Sequence, residues 1–368
     1  MASDEEALQR LKTGRVWDEL CDALKSAGRI VDLELAGTDA LDRAEGYRYL
    51  TRLTRLALEK FLEHADPAAP TFYRLSHETA KIGCDNPDSY YQNAAIDGRY
   101  EYRLSGTRGS VAYLGIGAYY GHYGSSARSG CSGYLEGGDL RVEDDGRIEI
   151  VLSARPAPGN WIKLEPDSSM LIVRQNFLDR STEVLADLKL ERIGADGPPC
   201  PLSPARLVDG LGEAARYVAG TSQLFAKWAD GFRDRPNQII EMDPKITGGA
   251  HGDPNIHFYM GYWKLERDQA LIIEATPPPC QYWNFQLNNI WMESLDYRYH
   301  PVHYNKHTTR YRSDGSFRLV VASSNPGVAN WVDTASHRHG TMGLRWVKAA
   351  HFPMPTSRVV KLSDVERD

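Results

Sequence analysis

The hydrophobic positions change period three times along the chain. Leu8, Leu11, Trp17, Leu20, Cys21 and Leu24 recur at helical spacing, and so do Leu50, Leu53, Leu56, Phe61 and Leu62. Residues 5–65 therefore read as two helices in an α-hairpin, closed before Pro67, which cannot continue a helix. Residues 95–190 switch to short strand-like runs: YEYRL (100–104), RIEIVL (147–152) and MLIVRQNF (170–177), separated by Gly, Pro and Asp clusters. Ser203-Pro204 fits an N-cap followed by proline at the first helical position, and apolar residues from Leu207 to Phe232 keep helical spacing. Residues 255–348 are β again. The predicted segments are an N-terminal helical segment (1–68), a first β half (69–190), a helical insertion (191–250), a second β half (251–350) and a C-terminal tail (351–368).

The two β regions share an order of features. RVEDDGRIEIVLS (141–153) aligns with RYRSDGSFRLVVA (310–322) at an offset of 169, matching Arg141, Asp145, Gly146 and Val151 to Arg310, Asp314, Gly315 and Val320. One residue later in register, Asn160-Trp161 falls on Asn330-Trp331, and Val173-Arg174 on Leu344-Arg345. Asp-Gly is a hairpin-turn signal. Such a unit cannot bury its apolar face alone. Two copies stacked face to face would bury both, which predicts an α+β, mainly β protein with a jelly-roll or β-sandwich core built from a duplicated hairpin unit.

Composition narrows the function classes. The net charge is −6 with no long basic run, which argues against nucleic acid and polybasic membrane attachment as partners. The acidic start MASDEEALQRLK lacks the order of a secretory signal, and no run approaches the length of a membrane span. Five widely spaced cysteines, Cys21, Cys84, Cys131, Cys200 and Cys280, without a CxxC pair, read as free thiols in the cytoplasm. The 20 Tyr and 8 Trp cluster at 90–123 and 257–311, so aromatics either build the β core or line a pocket.

Several stretches carry candidate chemistry. GIGAYYG (115–121) has the wrong spacing for a dinucleotide fingerprint and opens no helix; its glycines, alternating with Tyr113 and Tyr119, mark either an approachable strand face or packing against large aromatics. In QYWNFQLNNIW (281–291), Trp283, Phe285 and Leu287 point one way, while Tyr282, Asn284, Gln286 and Asn288 point the other. That amide row, with Trp291 beyond it, suits a polar ligand group or a structural ladder. His257, Tyr259, Gly261 and Trp263 share a strand face, so His257 and Tyr259 are an acid–base pair or a bonded structural pair. Asp333 is placed to orient His337 for proton transfer, with Arg345, and Arg174 in the first copy, as carboxylate clamps or as partners of buried acids. Asn330 and Trp331 recur in both copies and read as architecture. His300, His303 and His307 lack a completing carboxylate, and Glu293 with Asp296 would suit glycosidase chemistry only at the right separation. No metal and no cofactor are expected.

The segments PPPCQYWNFQLNNIWMESLDYR and SDGSFRLVVASSNPGVANWVDTASHRHGTMGLRWV, with DNPDSYYQNAAIDGRYEYRLSG upstream, resemble the domain-of-unknown-function family numbered 1214. The resemblance implies a β-sandwich or jelly-roll fold and a bacterial origin, but no activity. The chain departs from the family pattern at Asn325 and Ser336. The expectation that follows from the residues is a soluble catabolic enzyme, a metal-independent lyase or hydrolase acting on a small aromatic or lipophilic compound, with or without a carboxylate. Arg345 would hold the acid and His257, Tyr259, Asp333 or His337 would move the proton. The alternatives are a carbohydrate-binding or glycan-processing module and a non-enzymatic assembly protein. A small-molecule ligand is the expected partner, and homo-oligomerisation stays open.

Overall fold

The computed structural model of the chain describes residues 4–124, 128–195, 197, 199 and 201–367, so Cys200 lies outside the described residues. Its N-terminal helices are three where the apolar stripes predict two: α1 (Asp4–Lys12), α2 (Arg15–Ala27) and α3 (Ala40–Leu58). Gly14, at φ +74°, breaks the first stripe, because a left-handed residue cannot continue a right-handed helix. Asp39 caps α3 by accepting from the Leu41 and Asp42 amides. A π-helical turn, Glu59–Glu63, ends it, a wide-turn geometry that recurs at functional sites.

Two β halves follow. The first comprises β1 (Ser89–Ala95), β2 (Tyr102–Thr107), β3 (Tyr113–Tyr120), β4 (Gly130–Glu136), β5 (Arg147–Ser153), β6 (Asn160–Lys163), β7 (Ser168–Asn176) and β8 (Asp187–Arg192). Then come α4 (Pro204–Arg233), capped by the Ser203 side chain as its Ser-Pro start predicts, β9 (Gln238–Glu241) and α5 (Pro244–Gly249). The second half comprises β10 (Ile256–Lys264), β11 (Gln269–Ala275), β12 (Tyr282–Leu287), β13 (His303–Asn305), β14 (Phe317–Ala322), β15 (Trp331–Asp333), β16 (His339–Val347) and β17 (Thr356–Lys361).

The sheet orders prove the duplication. The first half forms sheets β1-β7-β3-β4 and β6-β5-β2-β8; the second forms β10-β16-β12-β13 and β15-β14-β11-β17. Each strand of one half has its counterpart in the other, and β17, inside the segment read as a tail, is needed to complete the second copy. The Asp-Gly turns superpose in conformation, with Gly146 at φ +82° and Gly315 at φ +81°. Asn160 bonds the Arg141 amide and carbonyl and the Glu149 carbonyl; Asn330 does the same with Arg310 and Arg318. Trp161 and Trp331 both donate to the end of the neighbouring strand, at Ser153 and Ala322. The Asn-Trp motif is therefore architecture, satisfying backbone groups where a parallel edge strand joins the sheet.

The repeated unit is larger than a hairpin, and each copy closes its own core. Leu114, Ile116, Leu171 and Val173 pack on Leu104, Ile150 and Leu152 in the first sandwich. Trp283, Phe285, Leu344 and Trp346 pack on Leu271, Phe317 and Leu319 in the second. Strand alternation sends the intervening residues to the opposite faces, and there the two sandwiches meet. The segment leading into each copy crosses to the other. Tyr282 of β12 donates to Asp88, at 2.6 Å, while Tyr113 of β3 donates to Asp253, at 2.9 Å. α3 and α4 cover this seam, burying Tyr49, Leu53, Tyr217 and Phe225 with Met260, Tyr262 and Trp291.

Candidate functional site

A cavity of about 150 Å³ lies on the seam, beneath the π-helical turn and α4. Its wall carries three cations. Arg174 of β7 and Arg345 of β16 come from equivalent positions of the two copies; Lys60 comes from the π-helical turn. Arg174 donates to Tyr119 Oη at 2.8 Å and to the His251 carbonyl. Arg345 donates to Gln286 Oε1 at 2.7 Å, to Asn284 Oδ1 at 3.3 Å and to the Cys84 carbonyl. The arrangement is reciprocal: each arginine holds the carbonyl of a residue in the other copy's leading segment. Cys84 and His251 are both in the left-handed region, at φ +62° and +57°, a costly conformation for residues with a Cβ.

The wall carboxyls are otherwise engaged. Asp253 accepts from Tyr113 at 2.9 Å and from Tyr134 at 2.5 Å, and Asp85 accepts from the Ser294 amide and hydroxyl at 3.0 and 2.8 Å. Burial pushes the Asp85 carboxyl above its ordinary pKa. Among the described residues, Lys60 Nζ meets only Met170 Sδ, at 3.3 Å, and the Phe61 ring. Burial without a counter-charge pulls its pKa down to about 8. The cavity is thus short of negative charge.

Two imidazoles complete the wall. His122 Nε2 lies 2.8 Å from Glu213 Oε2 and its Nδ1 2.8 Å from the Tyr123 carbonyl. The hydrogen bond from His122 is the chief reason that the Glu213 pKa falls to about 2. His251 Nε2 sits between Ser129 Oγ and the Tyr120 carbonyl, and burial lowers its pKa to about 4, so that ring is neutral near pH 7. Phe258, Ile172, Ile82 and Leu75 supply an apolar side.

The amide row faces the seam, as its alternation predicts, but lies behind the cavity wall. Gln286 donates to the Asp85 carbonyl at 2.7 Å, Asn284 to Asn86 Oδ1 at 3.0 Å, and Asn288 to Cys84 Sγ at 3.2 Å. These fully buried amides brace the 84–86 segment and Arg345. Tyr282 and Tyr113 anchor the exchanged segments. The glycines of β3 serve close packing: a Cβ on Gly115 would lie 2.0 Å from Tyr134 Oη.

The other predicted residues fall elsewhere. His257 and Tyr259 point away from the seam, because Ile256 and Phe258 take the cavity-side positions of β10. His257 stacks on Phe352 at 4.0 Å and meets Glu241 at 2.9 Å; Tyr259 donates to the Phe352 carbonyl. Asp333 does not orient His337. It pairs with His300 at 2.8 Å, while His337 pairs with Glu45 of α3 at 3.0 Å, since the chain between 333 and 337 turns through left-handed Ala335 and Ser336. Trp291 packs on Tyr49 and Gly46 and donates to the Asp42 carbonyl. His303 and His307 meet Asp88 and Asp179, two separate carboxylates from the one His300 meets. Glu293 is buried on Arg52 and Asp296 is on Arg298, so they share no cleft. Of the predicted set, Arg174 and Arg345 line the cavity. Lys60, His122, Cys84 and His251 were not among the predicted site residues: the helical period around Phe61 and Leu62 marks no chemistry at Lys60, and the loops that supply the others carry no periodic signal.

The family model described as a protein of unknown function (DUF1214) matches residues 265–350. The crystal structure of an uncharacterised protein from Burkholderia cenocepacia is similar over almost the whole length, with 49% identity, a TM-score of 0.95, and coverage of 97% of this chain and 99% of that one. The chain belongs to the DUF1214 family. A second solved structure, the VPA0106 protein from Vibrio parahaemolyticus, matches at 11% identity and a TM-score of 0.49, over 86% of this chain and 98% of that one. No curated protein matches. The DUF1214 segment runs from just before β11 to just past β16. It thus contains the amide row and Arg345, while the rest of the cavity wall comes from outside it.

Proposed function

We propose that this DUF1214 protein binds a small organic acid in the cavity between its sandwiches, carboxylate toward Lys60 and the two arginines, and acts on it as a hydrolase or lyase. One observation carries the reading: three buried or half-buried cations converge on one cavity whose carboxyls are committed to other partners. Buried unpaired charge is costly, and an anionic ligand relieves it. The volume matches the roughly 150 Å³ that accommodates one benzene-sized ring. The apolar side then takes the ring or alkyl part, and the His122–Glu213 pair in the wall serves as the proton-transfer group. A cytoplasmic setting suits the four described cysteines, all of them unpaired; no described helix is long and apolar enough to cross a membrane.

The test is a thermal-shift and calorimetric comparison of benzoate and phenylacetate with their neutral amides at pH 7. Stabilisation by the acids alone, lost in Lys60→Met, is expected. Equal binding of acid and amide, or binding by neither, overturns the reading.

A further inference from the structure

The Cys84 sulfur is set apart from the other cysteines of the chain. Cys21 and Cys131 are exposed and Cys280 is half-buried, whereas Cys84 is 2% exposed and lines the cavity. Two donors point at its sulfur: Asn288 Nδ2 at 3.2 Å and an Arg345 guanidinium nitrogen at 3.4 Å. Among the described residues no acceptor faces it. Those donors are placed to stabilise negative charge that develops on the sulfur, since anions near a guanidinium are favoured. The backbone is held left-handed, with the Cys84 amide bonded to the Met292 carbonyl at 2.6 Å. The sulfur packs directly on the β16 backbone, where Gly343 leaves out a Cβ that would lie 2.7 Å from Cys84 Sγ. A second feature of the same wall points to a ligand. Ser76 Oγ, in a residue 8% exposed, lines the cavity without a hydrogen-bond partner.

We propose that Cys84 is a nucleophile that forms a covalent bond with an electrophilic carbon of the organic acid held in this cavity, Arg345 and Asn288 stabilising the thiolate. This rests on the anion-binding reading of the cavity. In the step, a sulfur lone pair forms the S–C bond, the thiol proton is released to solvent, and the leaving group departs with the electrons of the broken bond. Arg345, which touches the sulfur, would also fix the acid's orientation, and the copy-related His251 shows that the second half has placed a different side chain at the equivalent turn.

The experiment is peptide-mapped alkylation of the full chain with iodoacetate and with iodoacetamide, each displaced at carbon with loss of iodide, between pH 5 and 9. Cys21 and Cys131 are the internal references. At pH 6, Cys84 is expected to be carboxymethylated about tenfold faster than either exposed cysteine, to prefer iodoacetate over iodoacetamide, and to be protected by benzoate. Asn288→Ala should slow Cys84 alkylation by both reagents, and Lys60→Met should abolish only the preference for the anionic reagent. If Cys84 resists both reagents in the folded protein while benzoate still raises the melting temperature, the nucleophile fails and the cavity reading stands. If Cys84 reacts quickly at pH 6 but without preference for iodoacetate, the sulfur assignment holds and the organic-acid reading fails.

Discussion

Lys60→Met separates ligand binding from stability in opposite directions. The ammonium is placed by the π-helical turn against Met170 and Phe61, with no carboxylate in contact among the described residues. Its pKa falls from 10.5 to about 8, which corresponds to about 3 kcal/mol of unfavourable free energy at neutral pH. Methionine keeps the length of the stem and removes the charge, so strain from repacking is small. The variant should therefore unfold at higher denaturant at pH 7, with a gain of about 2–3 kcal/mol. The sign with pH follows from linkage. Between about pH 8 and 10.5 the unfolded wild-type chain holds the Lys60 proton more tightly than the folded one, so wild-type stability rises across that window. The gain of the variant should shrink to nothing as pH passes 10.5. Benzoate at about 100 times its dissociation constant should stabilise the wild type by about 2.7 kcal/mol and the variant far less. Affinity in the wild type should fall as pH rises through about 8, where Lys60 loses its charge. Chemical denaturation at pH 7 and 10, with and without benzoate, measures all of this. A variant less stable than wild type at pH 7 would show that the ammonium has a favourable partner, and the account of the cavity would collapse.

Three further outcomes follow from the same geometry. Asn160→Ala and Asn330→Ala should each cost about 2–3 kcal/mol, because each buried asparagine makes three hydrogen bonds to the backbone, while benzoate binding persists; unequal losses measured by denaturation would undo their equivalence. Burial pulls the His337 pKa down, but Glu45 more than offsets this and holds it above 6.5, while Glu45 itself is held below 4.5. The Glu45 contribution is then present above pH 4.5 and lost as pH falls through its folded pKa; the His337 contribution is present below pH 6.5 and lost as pH rises through its own. Glu45→Gln should cost about 3 kcal/mol near pH 6 and loosen α3, read by hydrogen exchange. His257→Ala should leave benzoate affinity unchanged, since the ring stacks on Phe352 outside the cavity; a measurable loss in calorimetry would bring that side of β10 back into the site.

Much of the fold was legible because it is local. Helical and alternating periods mark the elements, Asp-Gly forces its turn, and Asn-Trp recurs because the same edge-strand problem recurs in each copy. The same alignment also flagged Arg174 and Arg345. The amide row was placed on the correct face, yet its partners were out of reach of any pattern: Asn284, Gln286 and Asn288 bond residues 84–86, some two hundred positions away.

The amino-acid sequence by itself determined two copies of a β unit, the faces of their strands and the helices around them, since these depend on neighbours within a few residues. Tertiary structure alone decided which polar groups converge. Each copy closes its own core and exchanges its leading segment with the other; that exchange brings Cys84 and His251 to the two arginines, while the π-helical turn and the loop after β3 add Lys60 and His122. Long-range packing chooses such neighbours, and no spacing along the chain records the choice.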